Sequence, residues 1–136
     1  MPRVSVWMLR IAVLHLTAGA ALGALMLAGK GVAVLAGVLA LLNVHLELML
    51  VGWMVQFVLG VGFWILPRLP GRARAEHSRP AALAAVLLNA GVVAACVGDL
   101  TASPWVTTAG RAAAQGAVLL FLGVAWPRVR PSGLTA

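Results

Sequence analysis

Charge is scarce in this chain. Of its 136 residues only 10% are Asp, Glu, Lys or Arg, and just three are acidic. So little charge cannot keep a domain of this size in water. With 62% hydrophobic residues and a mean hydropathy of +1.03, the soluble globular classes are excluded. The three acids, Glu47, Glu76 and Asp99, offer no carboxylate pair at hydrolase spacing. A phosphate-cradling glycine loop and a serine nucleophile elbow are also missing, so no enzyme motif is legible. Cysteine occurs once, as Cys96, which excludes an intramolecular disulfide and the paired-cysteine spacing of a structural zinc site. No ten-residue stretch alternates apolar and polar side chains, so a transmembrane β-barrel is excluded too.

What the chain has in quantity is long apolar sequence. A helix needs about 20 such residues to cross a hydrocarbon core of about 30 Å. Four segments meet this: Val4–Ala28, Leu39–Leu66, Ala81–Val97 and Val106–Trp126, the third being the shortest. The fold class expected is all-α, a polytopic membrane protein whose four transmembrane helices form a single domain over 1–136. Arg3 ahead of an apolar run resembles a secretory signal, but Arg10 interrupts it and the stretch beyond is long enough to span, so a retained helix is expected. Gly31–Leu66 would extend about 54 Å as one helix. A short interfacial piece over Val32–Leu39 should therefore precede a tilted second helix that Pro67 ends. Gly19 and Gly23, spaced four apart, permit close helix packing, and Pro131–Ala136 reads as a frayed end.

The basic residues are distributed unequally. Arg3 and Arg10 flank the start, Arg68, Arg72, Arg74 and Arg79 fill the second loop, and Arg128 and Arg130 follow the fourth run. Lys30 and Arg111 fall on the other side. By the excess of Lys and Arg in cytoplasmic loops, both termini belong in the cytoplasm, in what reads as a bacterial inner membrane. The net charge of +7 then needs no nucleic-acid partner, and the arginines can meet anionic lipid of the surrounding bilayer.

Ionisable groups inside a spanning helix are costly, so each one is a functional hypothesis. His45 and Glu47 stand in the outer third of the second run. At about 100° per residue, Gly52, Gln56 and Gly60 fall within roughly 60° of His45, whereas Glu47 points about 200° away. One face thus reads His, Gly, Gln, Gly, and the glycines would let a flat bulky group approach the backbone. The two ionisable residues cannot chelate one ion from the same helix. Glu47 must meet a partner, take up a proton or face another subunit.

His45-x-Glu47, then Gly52-Trp53, Gly60 and Leu66-Pro67-Arg68, resembles a helix of the heme–copper oxidase subunit I superfamily. The similar branches are the cbb-type oxidases, the nitric oxide reductases and the NnrS-type membrane haem proteins. In those oxidases the segment reads His-x-His, and its first His ligates the high-spin haem. The resemblance implies haem b bound by His45, with Gly52, Trp53 and Gln56 near the cofactor. Glu47 occupies the place of the second His, which speaks against a second haem. The similarity covers Asn43–Leu69. With four helices and three histidines, His15, His45 and His77, the chain cannot form the family's copper triad. His77 falls in the cytoplasmic loop. The reading is a stand-alone membrane haem protein, as a homodimer, in electron transfer with a membrane redox partner or in response to nitric oxide.

Two alternatives stand beside it. A non-haem zinc, iron or manganese site could be built from His45, Glu47 and His15 across a subunit interface. The chain could also be a cofactor-free structural or assembly protein, with His45 as helix glue. As an axial partner for His45, His15 lies at the wrong depth, by about 12 Å at 1.5 Å per residue. Met26, Met49 or an open position remain. Gln56, Asn89 and Gln115 read as interhelical hydrogen-bonding residues, Asp99 with Thr101 as an outer turn, and Trp7, Trp105 and Trp126 as interfacial belts. Trp53 and Trp64 are placed to pack on a ligand.

Overall fold

The protein was analysed as a computed structural model, which describes residues 1–31, 33–67 and 74–129, without the side chains of 33–36 and 74–77. Arg68, Arg72, Arg130 and the expected frayed end lie outside the described residues, as do the side chains of Arg74 and His77.

Four helices long and apolar enough to cross a membrane account for almost all of the described chain. The first is Arg3–Gly29. The second spans Gly37–Ile65 and changes its winding on the way. A 3-10 helix over Ala33–Leu41, where a short interfacial piece was expected, leads into it and overlaps its start, and a short α-helix, Leu42–Leu46, follows. It then widens to a π-helix over Glu47–Val55 and finishes as an α-helix, Gln56–Ile65. Pro67 follows, and the chain turns extended at Leu66, as proline demands of its predecessor.

The third helix, Arg74–Leu100, starts seven residues before the apolar run does. Hydropathy sees only the part of a helix that sits in hydrocarbon, and the basic turns preceding Ala81 continue the same backbone. His77 therefore belongs to this helix and not to a loop. The fourth helix is Pro104–Ala125, with a 3-10 turn, Trp126–Arg128, at its end. Only Thr101, Ala102 and Ser103 separate the last two. The Ser103 N–H donates to the Gly98 carbonyl at 2.9 Å, closing the third helix with Ala102 in the left-handed region at φ 52°. Pro104 then starts the next helix, where its missing N–H costs nothing. So short a turn makes the two helices an antiparallel hairpin.

Buried positions recur at alternating spacings of three and four, the period of a coiled-coil seam. On the third helix the seam runs through Ala81, Ala84, Leu88, Gly91, Ala95 and Gly98, with Val92 buried beside it, and on the fourth through Thr107, Gly110, Ala114, Ala117 and Phe121, with Ala125 buried beyond. Most are small, and the backbones touch. A methyl built on Gly91 would lie 2.7 Å from the Gly110 carbonyl and the Ala114 nitrogen. Gly98 meets Thr107, and Gly110 meets Ala95, in the same way. Phe63 and Phe121, edge to face at 6.3 Å, join Met8, Ala81 and Ala84 in the core at the end that carries Arg3 and Arg128. The large apolar side chains left outside, such as Leu14, Leu27, Val58 and Leu119, suit a lipid surrounding.

Candidate functional site

The face predicted to cradle a flat group packs instead on the first helix. A Cβ on Gly52 would come within 2.8 Å of the His15 ring, and one on Gly60 within 3.1 Å of Met8. Gln56, wholly buried, donates from Nε2 to the Met8 carbonyl at 3.0 Å. From the other side, Gly19 receives the Met49 sulfur and Gly23 receives the His45 ring, with 2.7 and 2.9 Å to an added Cβ. These glycines let two backbones and two imidazoles share one seam. Gly52 and Gln56 are therefore helix-packing residues, and the expected ring cradle along them is filled. Trp53 is half-buried beside the seam, while Trp64 is exposed.

Both histidines bridge the seam, in opposite directions. His45 on the second helix places Nδ1 2.8 Å from the Gly19 carbonyl, and His15 on the first places Nδ1 3.0 Å from the Gly52 carbonyl. A carbonyl only accepts, so each Nδ1 is the protonated nitrogen. The neutral ring then keeps its lone pair on Nε2. Neither Nε2 has a hydrogen bond among the described residues, and neither is among the buried polar atoms left without a partner. Both side chains are half-buried, and neither Nε2 is fully enclosed. Carbonyl-bound Nδ1 with free Nε2 is how proteins orient a histidine that ligates metal.

Glu47 leaves the helix on the side away from His45, as the helical wheel places it. Its partner lies within the chain, since Arg111 of the fourth helix donates from Nε to the carboxylate at 3.2 Å. The same guanidinium reaches Asp99 at 3.4 Å, and the Thr107 hydroxyl donates to Asp99 at 3.2 Å. Within one chain His45, Glu47 and His15 do not come together. Glu47 is held by Arg111, away from the histidines, and among the described residues no group of three His, Cys, Asp or Glu could hold an ion. Of the three fates expected for Glu47, the structure shows the first, a partner within the chain. Asp99, read as part of an outer turn, is a helical residue in this cluster. Charge counting had used Arg111 only as a topological marker.

Other polar residues sort differently than the sequence suggests. Asn89 bonds back to the Ala85 carbonyl of its own helix at 2.7 Å, and its buried Oδ1 has no partner. Gln115 is exposed on the fourth helix. Neither makes the expected interhelical bond among the described residues. Arg128, counted as a basic flank, is buried and donates to the carbonyls of Phe63, Leu66 and Pro67 at 3.2, 2.6 and 2.9 Å. Trp7, Trp105 and Trp126 are exposed near helix ends. Compared with known proteins, the chain matches no family model, no curated protein and no solved structure.

Proposed function

We propose that this chain is a multi-pass protein of a bacterial cytoplasmic membrane, with both termini inside, that binds haem b through Nε2 of His45. The orientation follows from Arg3, Arg10, Arg79 and Arg128 at one end of the bundle, against Lys30 and Arg111 towards the other. One observation carries the haem reading. The Gly19 carbonyl accepts from Nδ1 of half-buried His45, whose Nε2 has no hydrogen-bond partner among the described residues. Such a nitrogen against hydrocarbon is unfavourable until it meets a partner. A π-helix begins two residues further on, a departure from regular winding that is frequent at functional sites.

When bound, haem supplies one-electron chemistry, or a gas site if one axial position stays open. The chain would hold the group through His45, whose tautomer the Gly19 carbonyl fixes. The physiological role proposed is electron transfer within the membrane or a response to nitric oxide. Gly52, Gln56 and Gly60 pack on the first helix and would not hold the group.

A cofactor-free bundle is the second reading, and the same two bonds favour it. Each histidine already satisfies one nitrogen and ties the first helix to the second. The absorption spectrum of the detergent-purified protein separates the two. The haem reading expects a Soret band and a pyridine haemochrome spectrum, both absent in His45→Ala. A colourless, metal-free protein that stays helical would sink it, and stoichiometric zinc or iron in a colourless preparation would move the site to non-haem metal.

A further inference from the structure

We propose that the face of the first helix carrying Arg3, Trp7 and Arg10 binds the phosphate of an anionic phospholipid, in the leaflet at the end that holds both termini. The inference rests on the membrane-spanning reading and is independent of the haem reading.

Arg3, Trp7, Arg10 and Leu14 follow one another at spacings of four, three and four residues. At about 100° per residue they share one face of the helix, within roughly 60°. All four are exposed on the outside of the bundle. Arg10 stands seven residues beyond Arg3, roughly 10 Å further along the axis. Val13 and Leu14 beside it are exposed too, as suits a surface against hydrocarbon. A guanidinium at that depth is costly, and it does not shed its proton to escape the cost. No described carboxylate faces it. Glu47 and Asp99 are held by Arg111 towards the other end of the bundle, and the Glu76 side chain lies outside the described residues. Among the described residues Arg10 makes neither a hydrogen bond nor an ion pair.

Its one directed contact is with an aromatic ring. The Arg10 guanidinium lies 5.8 Å from the centroid of Trp7, one turn nearer the helix start. The long side chain thus bends back towards the headgroup region and away from the hydrocarbon centre. It does so on the face that Arg3 shares. Two guanidiniums then flank one indole, and their paired N–H groups match the oxygens of a phosphate diester. Phosphate is the anion that a bilayer itself supplies at this level. A zwitterionic headgroup brings an ammonium that both arginines repel, so the fit is to a lipid of net negative charge. Trp7 and Leu14 offer apolar surface to the acyl chains of the same molecule.

The test is native mass spectrometry of the full-length protein in detergent, titrated with phosphatidylglycerol or with phosphatidylcholine of the same acyl chains. The wild type should retain phosphatidylglycerol in preference to phosphatidylcholine. Arg10→Gln and Arg3→Gln should each weaken that preference about five-fold, the contribution of one basic group at an anionic surface. Lys30→Gln removes the same charge at the other end of the bundle, so its preference should stay at the wild-type value. These side chains are exposed, and circular dichroism should match the wild type in every variant. Equal retention of the two lipids by the wild type overturns the site, as does a folded Arg10→Gln that keeps the wild-type preference. Equal losses in Lys30→Gln and Arg10→Gln would show attraction to net charge without a site, and overturn it as well. A lipid-free oligomer that dissociates only in Arg10→Gln would give the guanidinium a carboxylate of another chain, which also overturns the lipid assignment.

Discussion

Arg128 closes the second helix from a distance of more than sixty residues along the chain. The last carbonyls of a helix have no intrahelical donor and carry the negative end of its dipole, so a guanidinium with several N–H groups suits them. It also lies 4.8 Å from the Phe63 ring centroid. Arg128→Met is expected to cost about 3 kcal/mol, since buried carbonyls lose charged donors. Arg128→Lys should recover only part, because an ammonium cannot span the same carbonyls. Thermal unfolding in detergent reads both, and equal stability of Lys and Arg would contradict the capping geometry. At Glu47 the expectation is asymmetric. Arg111→Gln leaves a buried carboxylate without its guanidinium, whereas Glu47→Gln leaves Arg111 paired with Asp99. Arg111→Gln should therefore be the more damaging, and the double variant should show coupling of about 1–2 kcal/mol, modest because Arg111 is half exposed. Strictly additive single effects would mean that the pair contributes nothing. The sequence marked His45, Glu47 and His15 as polar groups in an apolar setting, but not their partners. Those partners are carbonyls and a guanidinium on other helices, and positive charge counted along a chain carries no contact information.

Among the elements, the hairpin of the third and fourth helices depends on the absence of Cβ atoms. Gly110 faces the backbone at Ala95 and Gly91, which cannot move aside as a side chain can. Gly110→Ala should destabilise by about 2–3 kcal/mol through overpacking. Gly116 on the same helix has open space where a Cβ would go, so Gly116→Ala should stabilise by about 0.5–1 kcal/mol. Equal responses at the two positions would refute the close backbone approach. Ala102 in its left-handed turn offers a third comparison. Ala102→Gly is expected to gain about 1 kcal/mol by relieving the Cβ clash of that conformation. Helix existence followed from hydropathy with only small shifts at the ends. The start of the third helix and the π-winding of the second did not. Hydropathy is blind to helix beyond the hydrocarbon, and no residue type demands an i→i+5 bond. Gly19 and Gly23 were recognised as packing positions, while Gly91, Gly98 and Gly110 were recognisable only once the seam's alternation of three and four residues was in view.

On the scale of the whole molecule, the four helices alternate in direction and put both termini at one end, which the proposed orientation takes as cytoplasmic. A cysteine placed at Ala102 in a Cys96→Ser background should therefore react with a membrane-impermeant maleimide added outside intact cells. One placed at Pro2 should react only after lysis, and the opposite pattern would invert the proposed orientation. Composition alone determined that this chain belongs in a bilayer, because an apolar chain with 10% charge leaves no soluble alternative. The length of its runs set the number of spans, and the helical angle between His45 and Glu47 set them on different faces. Only the tertiary structure decided what each face meets. The glycine stripe receives another helix's histidine and methionine, Glu47 receives Arg111, and the two imidazoles are fixed through Nδ1 by carbonyls. Small residues specify that something may come close without specifying what, because van der Waals fit between helices depends on their mutual register, and register is a property of the assembled bundle.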